Sequence, residues 1–162
     1  MILGIAAPGG GARGPSGPIG MERNKAMIGL VLVTHGGLAR ELLKAAEHVC
    51  GPQAQVETVC IGADDDLASR TKDIAEAAAR ANTGAGLIFL TDVYGSTPFN
   101  AAVAAANLSG TPVISGVNVP MLLKLASARK DDDMAAAVAA AKEAGQKYIC
   151  VSGETEATSA AQ

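Results

Sequence analysis

Tryptophan is absent from this 162-residue chain, and aromatic residues make up only 2% of it. Proteins that bind single-stranded nucleic acid stack the bases on aromatic side chains, and proteins that hold the phosphate backbone present a basic surface. The formal net charge of −3 gives no sign of a basic surface. The composition therefore argues against a nucleic-acid-binding function.

Cysteine and long apolar runs are also scarce. Cys50, Cys60 and Cys150 form no C-x-x-C pair and are odd in number, so a disulfide framework is not expected. Free thiols suit a reducing cytoplasm, which is the expected location. No run reaches the ~18 apolar residues of a membrane-spanning helix, and the apolar start at 1–7 lacks the basic segment of a signal peptide.

The two ends of the chain differ from its middle. Residues 1–20 contain seven glycines and three prolines without periodicity, a composition that supports neither a helix nor a strand. We expect a disordered leader over 1–26, with Met21 and Met27 as alternative starts to Met1. The polar tail 154–162 is expected to be flexible. The remaining 27–153 is long enough for one folded domain with its own core.

Apolar runs and helical stripes alternate through this domain. Strands are predicted at 28–34, 56–61, 87–91, 112–116 and 147–152. Helices are predicted at 38–50, 67–81, 97–108 and 120–129, and a last helix follows 131–133 and continues to 144. The second helix and the last helix are preceded by the acidic runs 64–66 and 131–133. The alternation predicts a doubly wound α/β fold, with a mostly parallel five-stranded sheet and helices on both faces.

The strand ends supply a candidate catalytic pair. His35 follows the first strand and precedes Gly36 and Gly37, and Asp92 follows the third strand. In a flavodoxin-like strand order 2-1-3-4, ligands bind where the order reverses, between strands one and three. That order would place the imidazole beside a carboxylate able to fix its tautomer and stabilise its cationic form.

The segment after Asp92 adds a candidate anion site. Thr97 and Pro98 have the pattern of a helix cap followed by the first helical residue, and Ser96 and Thr97 offer hydroxyl groups near the free N–H groups of a helix start. Both loops lack lysine and arginine, and Arg40 is the nearest basic residue. A site that passes a phosphoryl group onward should not hold it too tightly, which favours a carrier over a phosphatase.

Two other features have simpler explanations. The acidic runs 64–66 and 131–133 suggest metal ligands, but charge at helix starts explains them and no second ligand set accompanies them. The glycine-rich leader lacks the Lys-Ser/Thr of a P-loop. Neither a metal nor a cofactor is therefore expected.

Three segments, each at a strand's carboxyl end, resemble the IIA component of the mannose-family sugar phosphotransferase system. They are 32–36 (LVTHG), 92–100 (DVYGSTPFN) and 116–122 (GVNVPML). The resemblance covers about 27–153. It implies that His35 accepts a phosphoryl group on Nε2, that Asp92 hydrogen-bonds the imidazole, and that Gly36, Ser96 and Thr97 surround the phosphate, with Asn118 lining the site or contacting a partner.

The same resemblance implies the partners. The phosphoryl donor would be the phosphocarrier HPr and the acceptor a histidine on a IIB component, with membrane association only through such partners. The family forms homodimers, in some members by exchanging the last strand, here 147–152, which is a candidate for antiparallel pairing. Relatives often continue into a IIB domain, whereas this sequence ends at Gln162, and Gly37 stands where an aromatic residue is common.

Other functions remain open at this point. A free-standing IIA protein could serve as a regulatory module whose phosphorylation state controls another protein. A histidine phosphatase also uses a strand-end histidine, but it needs an adjacent arginine and a second catalytic histidine, and His48 on the first helix is a poor substitute. The phosphocarrier subunit of dihydroxyacetone kinase is a further alternative, although the segment at 95–100 favours the sugar-system branch.

Overall fold

A computed structural model of the chain describes residues 26–106, 110–131 and 133–152. The predicted disordered leader (1–26) lies outside these ranges except for residue 26, and the predicted flexible tail (154–162) and the predicted end of the third helix at 108 lie outside them as well. The elements are β1 (Gly29–His35), α1 (Leu38–Cys50), β2 (Val56–Ile61), α2 (Leu67–Ala81), β3 (Leu87–Thr91), α3 (Thr97–Ala106), β4 (Val113–Ser115), α4 (Val119–Ala128) and α5 (Met134–Lys147).

The four strands form one parallel sheet in the order β2-β1-β3-β4, which confirms the predicted order and fold class. Alternate residues of β1 and β3 point to opposite faces of the sheet. Leu32 and Leu90 pack on the face covered by α1, α4 and α5. Val33 and Phe89 pack on the opposite face, against α2 and α3. Both faces are therefore buried, as the unbroken apolar runs indicate.

The acidic runs supply helix caps. The Asp66 carboxylate accepts a hydrogen bond from the Ser69 N–H at the start of α2, at 2.9 Å. Asp133 accepts one from the Ala136 N–H at the start of α5, also at 2.9 Å. The predicted helix-start role of these runs is confirmed, since a cap satisfies N–H groups that have no partner within the helix.

The predicted cap of α3 is displaced by one residue. Thr97 is already helical, and it is Ser96 whose carbonyl accepts from the Asn100 N–H at 2.9 Å. Pro98 therefore takes the second helical position, where its missing N–H leaves no intrahelical bond unmade. The difference frees the Thr97 side chain from a capping role.

The predicted fifth strand at 147–152 is not formed in the structure. Helix α5 continues through Lys147, and the Tyr148 N–H still bonds back to the Ala144 carbonyl at 3.4 Å. A strand exists only through hydrogen bonds to a neighbouring edge, and within the described residues this segment pairs with none. Its apolar side chains are consequently exposed, at 80% for Ile149 and 62% for Val151.

Among the described residues, no helix has both the length and the apolar character needed to cross a bilayer.

Candidate active site

The site begins at the turn between β1 and α1. His35 is the last residue of β1, and its side chain is 52% exposed. Gly36 follows with φ +51, a conformation that favours glycine. Its N–H donates to the Ile61 carbonyl of β2 at 2.8 Å. The turn thus holds the imidazole at the carboxyl-terminal end of the sheet. The Gly36 N–H is occupied by its hydrogen bond to β2.

The structure places Asp92 directly beside His35, as the strand order predicts. His35 Nδ1 lies 2.9 Å from Asp92 Oδ2, and the His35 backbone N–H donates to the same oxygen at 3.0 Å. The Val93 N–H donates to Oδ1 at 2.9 Å. A carboxylate only accepts hydrogen bonds, so Nδ1 carries the proton of this contact. The lone pair of the neutral ring is then on Nε2.

The carboxylate is ionised under ordinary conditions. Its side chain is only 9% exposed. Burial raises the pKa of Asp92, but hydrogen bonds from His35 and Val93 outweigh that effect and leave the pKa below its usual value. Of the described lysines and arginines, none forms an ion pair with this carboxylate. Asp92 therefore directs its charge at the imidazole.

The loop from β3 to α3 is fastened by its own polar groups. The Ser96 hydroxyl donates to the Val93 carbonyl at 2.7 Å, and the Asn100 amide donates to the Gly95 carbonyl at 3.2 Å. Thr97 is exposed at the first position of α3, and no hydrogen bond from its hydroxyl is found within the described part of the chain. Of the two predicted hydroxyl residues, Ser96 is committed to the loop and Thr97 is available.

Asn118 precedes α4 and links two helices. Its side-chain oxygen accepts from the Met121 N–H at 3.0 Å, and its amide donates to the Gly145 carbonyl of α5 at 2.9 Å. It also lines a cavity of about 810 Å³ that reaches Asp92 and runs along β4. The side chain is therefore a helix cap at the margin of the site, and it makes no hydrogen bond with His35.

Two features of the site were not predicted from the sequence. Buried Thr34 accepts a hydrogen bond from the Ala39 N–H at 2.7 Å and so shapes the turn that carries His35. Gly37, the N-cap residue of α1, has no side chain that could cap the helix. A threonine just before such a turn is the sequence signal for this capping role. Tyr94 and Phe99 form an aromatic pair with ring centroids 4.7 Å apart, and Tyr94 is 80% exposed. An exposed aromatic ring beside the site is a feature of partner-binding surfaces.

The arrangement suits nucleophilic chemistry at a histidine. Within 26–106, 110–131 and 133–152, no group of three or more histidine, cysteine or acidic side chains is arranged to hold a metal ion. An exposed ring nitrogen opposite a carboxylate-bound one can act as a nucleophile whose cationic product the carboxylate stabilises.

Comparison with known proteins identifies relatives of this chain. Residues 29–142 match the EIIA-man family, described as the PTS system fructose IIA component. The chain is 35% identical over 124 residues to the PTS system mannose-specific EIIAB component of Escherichia coli (strain K12), an alignment that covers 75% of this chain and 38% of that protein. The chain thus spans well under half the length of this curated relative.

Two solved structures share the fold. The mannose/sorbose specific IIA subunit of the phosphotransferase system from Enterococcus faecalis superposes with a TM-score of 0.67 at 25% identity, covering 77% of this chain and 94% of that one. Phosphotransferase system component EIIA from Streptococcus agalactiae gives a TM-score of 0.71 at 22% identity, covering 77% and 97%. At that lower identity the second likeness is one of fold.

Proposed function

Because this chain belongs to the EIIA-man family of phosphotransferase-system IIA components, we propose that it is a phosphoryl carrier with His35 as the phosphoacceptor. The donor is the phosphohistidine of HPr, and the acceptor is a histidine on a IIB component. The observation that carries the proposal is the contact of 2.9 Å between His35 Nδ1 and Asp92 Oδ2, which leaves Nε2 as the nucleophile.

The transfer needs no cofactor. The Nε2 lone pair of His35 attacks phosphorus, the N–P bond of the donor histidine breaks, and its electron pair returns to the donor nitrogen. His35 becomes a phosphorylated, cationic imidazole that keeps its Nδ1 proton on Asp92. The carboxylate stabilises this charge as it develops. The reverse sequence, with the IIB histidine as nucleophile, discharges the carrier.

The surroundings of His35 support a transient phosphoryl group. We assign the exposed Thr97 hydroxyl a donor role toward the phosphoryl oxygens, and Ser96 the role of shaping the loop. The Gly36 N–H already donates to the Ile61 carbonyl. Gly36 therefore contributes by letting the phosphoryl group approach the backbone closely, and not by donating a hydrogen bond. Asn118 contributes indirectly, through the position of α4 at the margin of the site. These groups carry no charge, so their own contribution to holding the phosphoryl group is weak and does not oppose onward transfer.

We further propose that the IIA domain extends over 27–153 and that it acts in the cytoplasm as a homodimer. The exposed apolar side chains after α5 and the open outer edge of β4 support pairing between two copies. A mass measurement in solution tests this proposal. A mass corresponding to two chains agrees with it, and a monomer at all accessible concentrations contradicts it.

The carrier function is tested by incubating the protein with labelled phosphoenolpyruvate, the first enzyme of the system and HPr. We expect acid-labile, base-stable label on the wild type and none on His35→Ala, with His48→Ala labelled like the wild type. Addition of a IIB protein should then remove the label. Labelling of His35→Ala contradicts the assignment, and label that never leaves for a IIB protein favours the regulatory alternative.

A further inference from the structure

A cationic side chain lies near the turn that follows His35. Arg40 is exposed in the first turn of α1. The position that a Cβ would occupy on Gly37 is 3.7 Å from Arg40 Nη2, so the guanidinium covers the glycine. At Gly36 no heavy atom beyond its chain neighbours lies within 4 Å of the corresponding position. No side chain of the turn itself therefore fills the space beside Gly36.

The guanidinium is within reach of a group on His35. Two peptide links separate the Cα atoms of His35 and Gly37 by at most about 7 Å, which puts Arg40 Nη2 within roughly 12 Å of the His35 Cα. This span is comparable to the screening length of about 8–10 Å at moderate ionic strength. An arginine side chain has several rotatable bonds, and rotation about them can bring its fork toward a phosphoryl group on Nε2.

The Arg40 guanidinium forms no ion pair within the described part of the chain. It lines a cleft of about 360 Å³ with two arginines and two carboxylates, but these are paired with other groups: Arg70 with Asp73 at 2.8 Å, Arg80 with Glu57 at 2.9 Å, and Glu76 with Lys72 at 3.8 Å.

On its own helix, the neighbouring Glu41 is paired with Lys44 at 2.8 Å. Among the described residues, no carboxylate lies within 4.0 Å of the Arg40 guanidinium. Arg40 is therefore free to bind an incoming anion.

We propose that Arg40 binds the phosphoryl group once it is on His35, and so sets how strongly the carrier retains it. This inference rests on the proposed carrier function. Arg40 differs from a fixed phosphate clamp, because it is exposed, screened by solvent and held by no partner. Its effect on the phosphorylated state is correspondingly modest, about three- to tenfold in the equilibrium of phosphoryl exchange.

The test compares wild type, Arg40→Gln, Arg40→Lys and Lys44→Gln, each equilibrated with phosphorylated HPr. The measured quantities are the equilibrium constant of phosphoryl exchange and the pKa of the phosphoryl group on His35, read from its ³¹P chemical shift. Lys44→Gln is the matched control, since it removes the same charge one turn further along α1. Phosphoramidate, a small donor, provides the same phosphoprotein for the ³¹P titration without any contact with HPr.

Arg40→Gln should lower the equilibrium constant about three- to tenfold and raise the pKa of the phosphoryl group, because a nearby cation favours its dianion. Arg40→Lys should retain part of the effect, and Lys44→Gln should match the wild type. At about 1 M salt the difference should shrink.

Equal equilibrium constants and equal phosphoryl pKa values for wild type and Arg40→Gln would overturn the inference while leaving the carrier function intact. A slower labelling of Arg40→Gln by HPr, with an unchanged equilibrium constant and an unchanged phosphoryl pKa, would also overturn it, since it would place Arg40 in contact with HPr. A wild type that takes label from neither donor would remove the carrier function itself.

Discussion

Asp92 is the residue whose replacement should most directly slow phosphoryl transfer while the domain stays folded. Replacing it by asparagine keeps the shape but removes the negative charge that faces the imidazole. We expect phosphoryl transfer to His35 to slow by about ten- to a hundredfold, the value of one charge-assisted hydrogen bond. Rapid-quench measurement of labelling gives the rate, and Asp66→Asn is the control, because asparagine caps a helix as well as aspartate.

The same carboxylate gives the protein a defined response to acid. The folded-state pKa of Asp92 is lowered, so its ionised form stabilises the fold above the unfolded-state pKa of about 3.9. This contribution is lost as the pH falls through the folded-state pKa. Urea unfolding at pH 7 should show the wild type more stable than Asp92→Asn, with the difference disappearing at pH values below the folded-state pKa. A constant difference would argue against this linkage.

The pairing of His35 with Asp92 was predictable once the strand order 2-1-3-4 was assumed, since a parallel sheet brings strand ends to one edge and this order makes the two strands neighbours. The division of labour between Ser96 and Thr97 was not. It depends on whether the Ser96 hydroxyl turns back to the Val93 carbonyl, and residue type alone does not decide that.

Helix α4 is capped by Asn118, which also hydrogen-bonds to α5. Asn118→Ala removes both the cap of α4 and the hydrogen bond to α5, and should lower the free energy of unfolding by about 1–2 kcal/mol. Asn118→Asp keeps the cap and loses the amide donor, so it should lie between wild type and Asn118→Ala. Denaturant titration measures both. If the alanine variant instead loses phosphoryl transfer at unchanged stability, Asn118 acts directly in the site.

The boundaries of the strands and helices show where sequence patterns are sufficient. β2 and β3 have the predicted bounds, because breaking residues flank short apolar runs. The segment at 147–152 is not a strand within the single chain, although its apolar residues fit a strand equally well whether or not an edge is available. Strand formation depends on a distant partner, and local pattern carries no information about that partner.

A buried cation lies at the end of the sheet opposite the candidate active site. Arg129 is 1% exposed and donates to the Ile28 and Ala54 carbonyls and to the Gln53 side chain, at 3.2, 2.7 and 3.1 Å. It thereby ties the start of β1 to the end of α4 and to the loop before β2.

Arg129→Ala would leave several buried acceptors without donors and should destabilise the domain by about 3 kcal/mol. Lys124→Ala, an exposed cation on α4, should be neutral. Thermal unfolding measures the loss, and phosphoryl transfer well below the melting temperature should be unchanged. A transfer defect in a fully folded Arg129→Ala protein would show that the two ends of the sheet are coupled.

We propose that Asp92 holds Nδ1 of His35 and leaves Nε2 to carry the phosphoryl group. Heteronuclear NMR of ¹⁵N-histidine-labelled protein, phosphorylated through HPr, measures this directly through the coupling between ³¹P and each ring nitrogen. We predict coupling to Nε2 of His35, with the Nδ1 proton retained in its hydrogen bond. A phosphoryl group on Nδ1, on His48, or on a residue other than histidine would contradict the account.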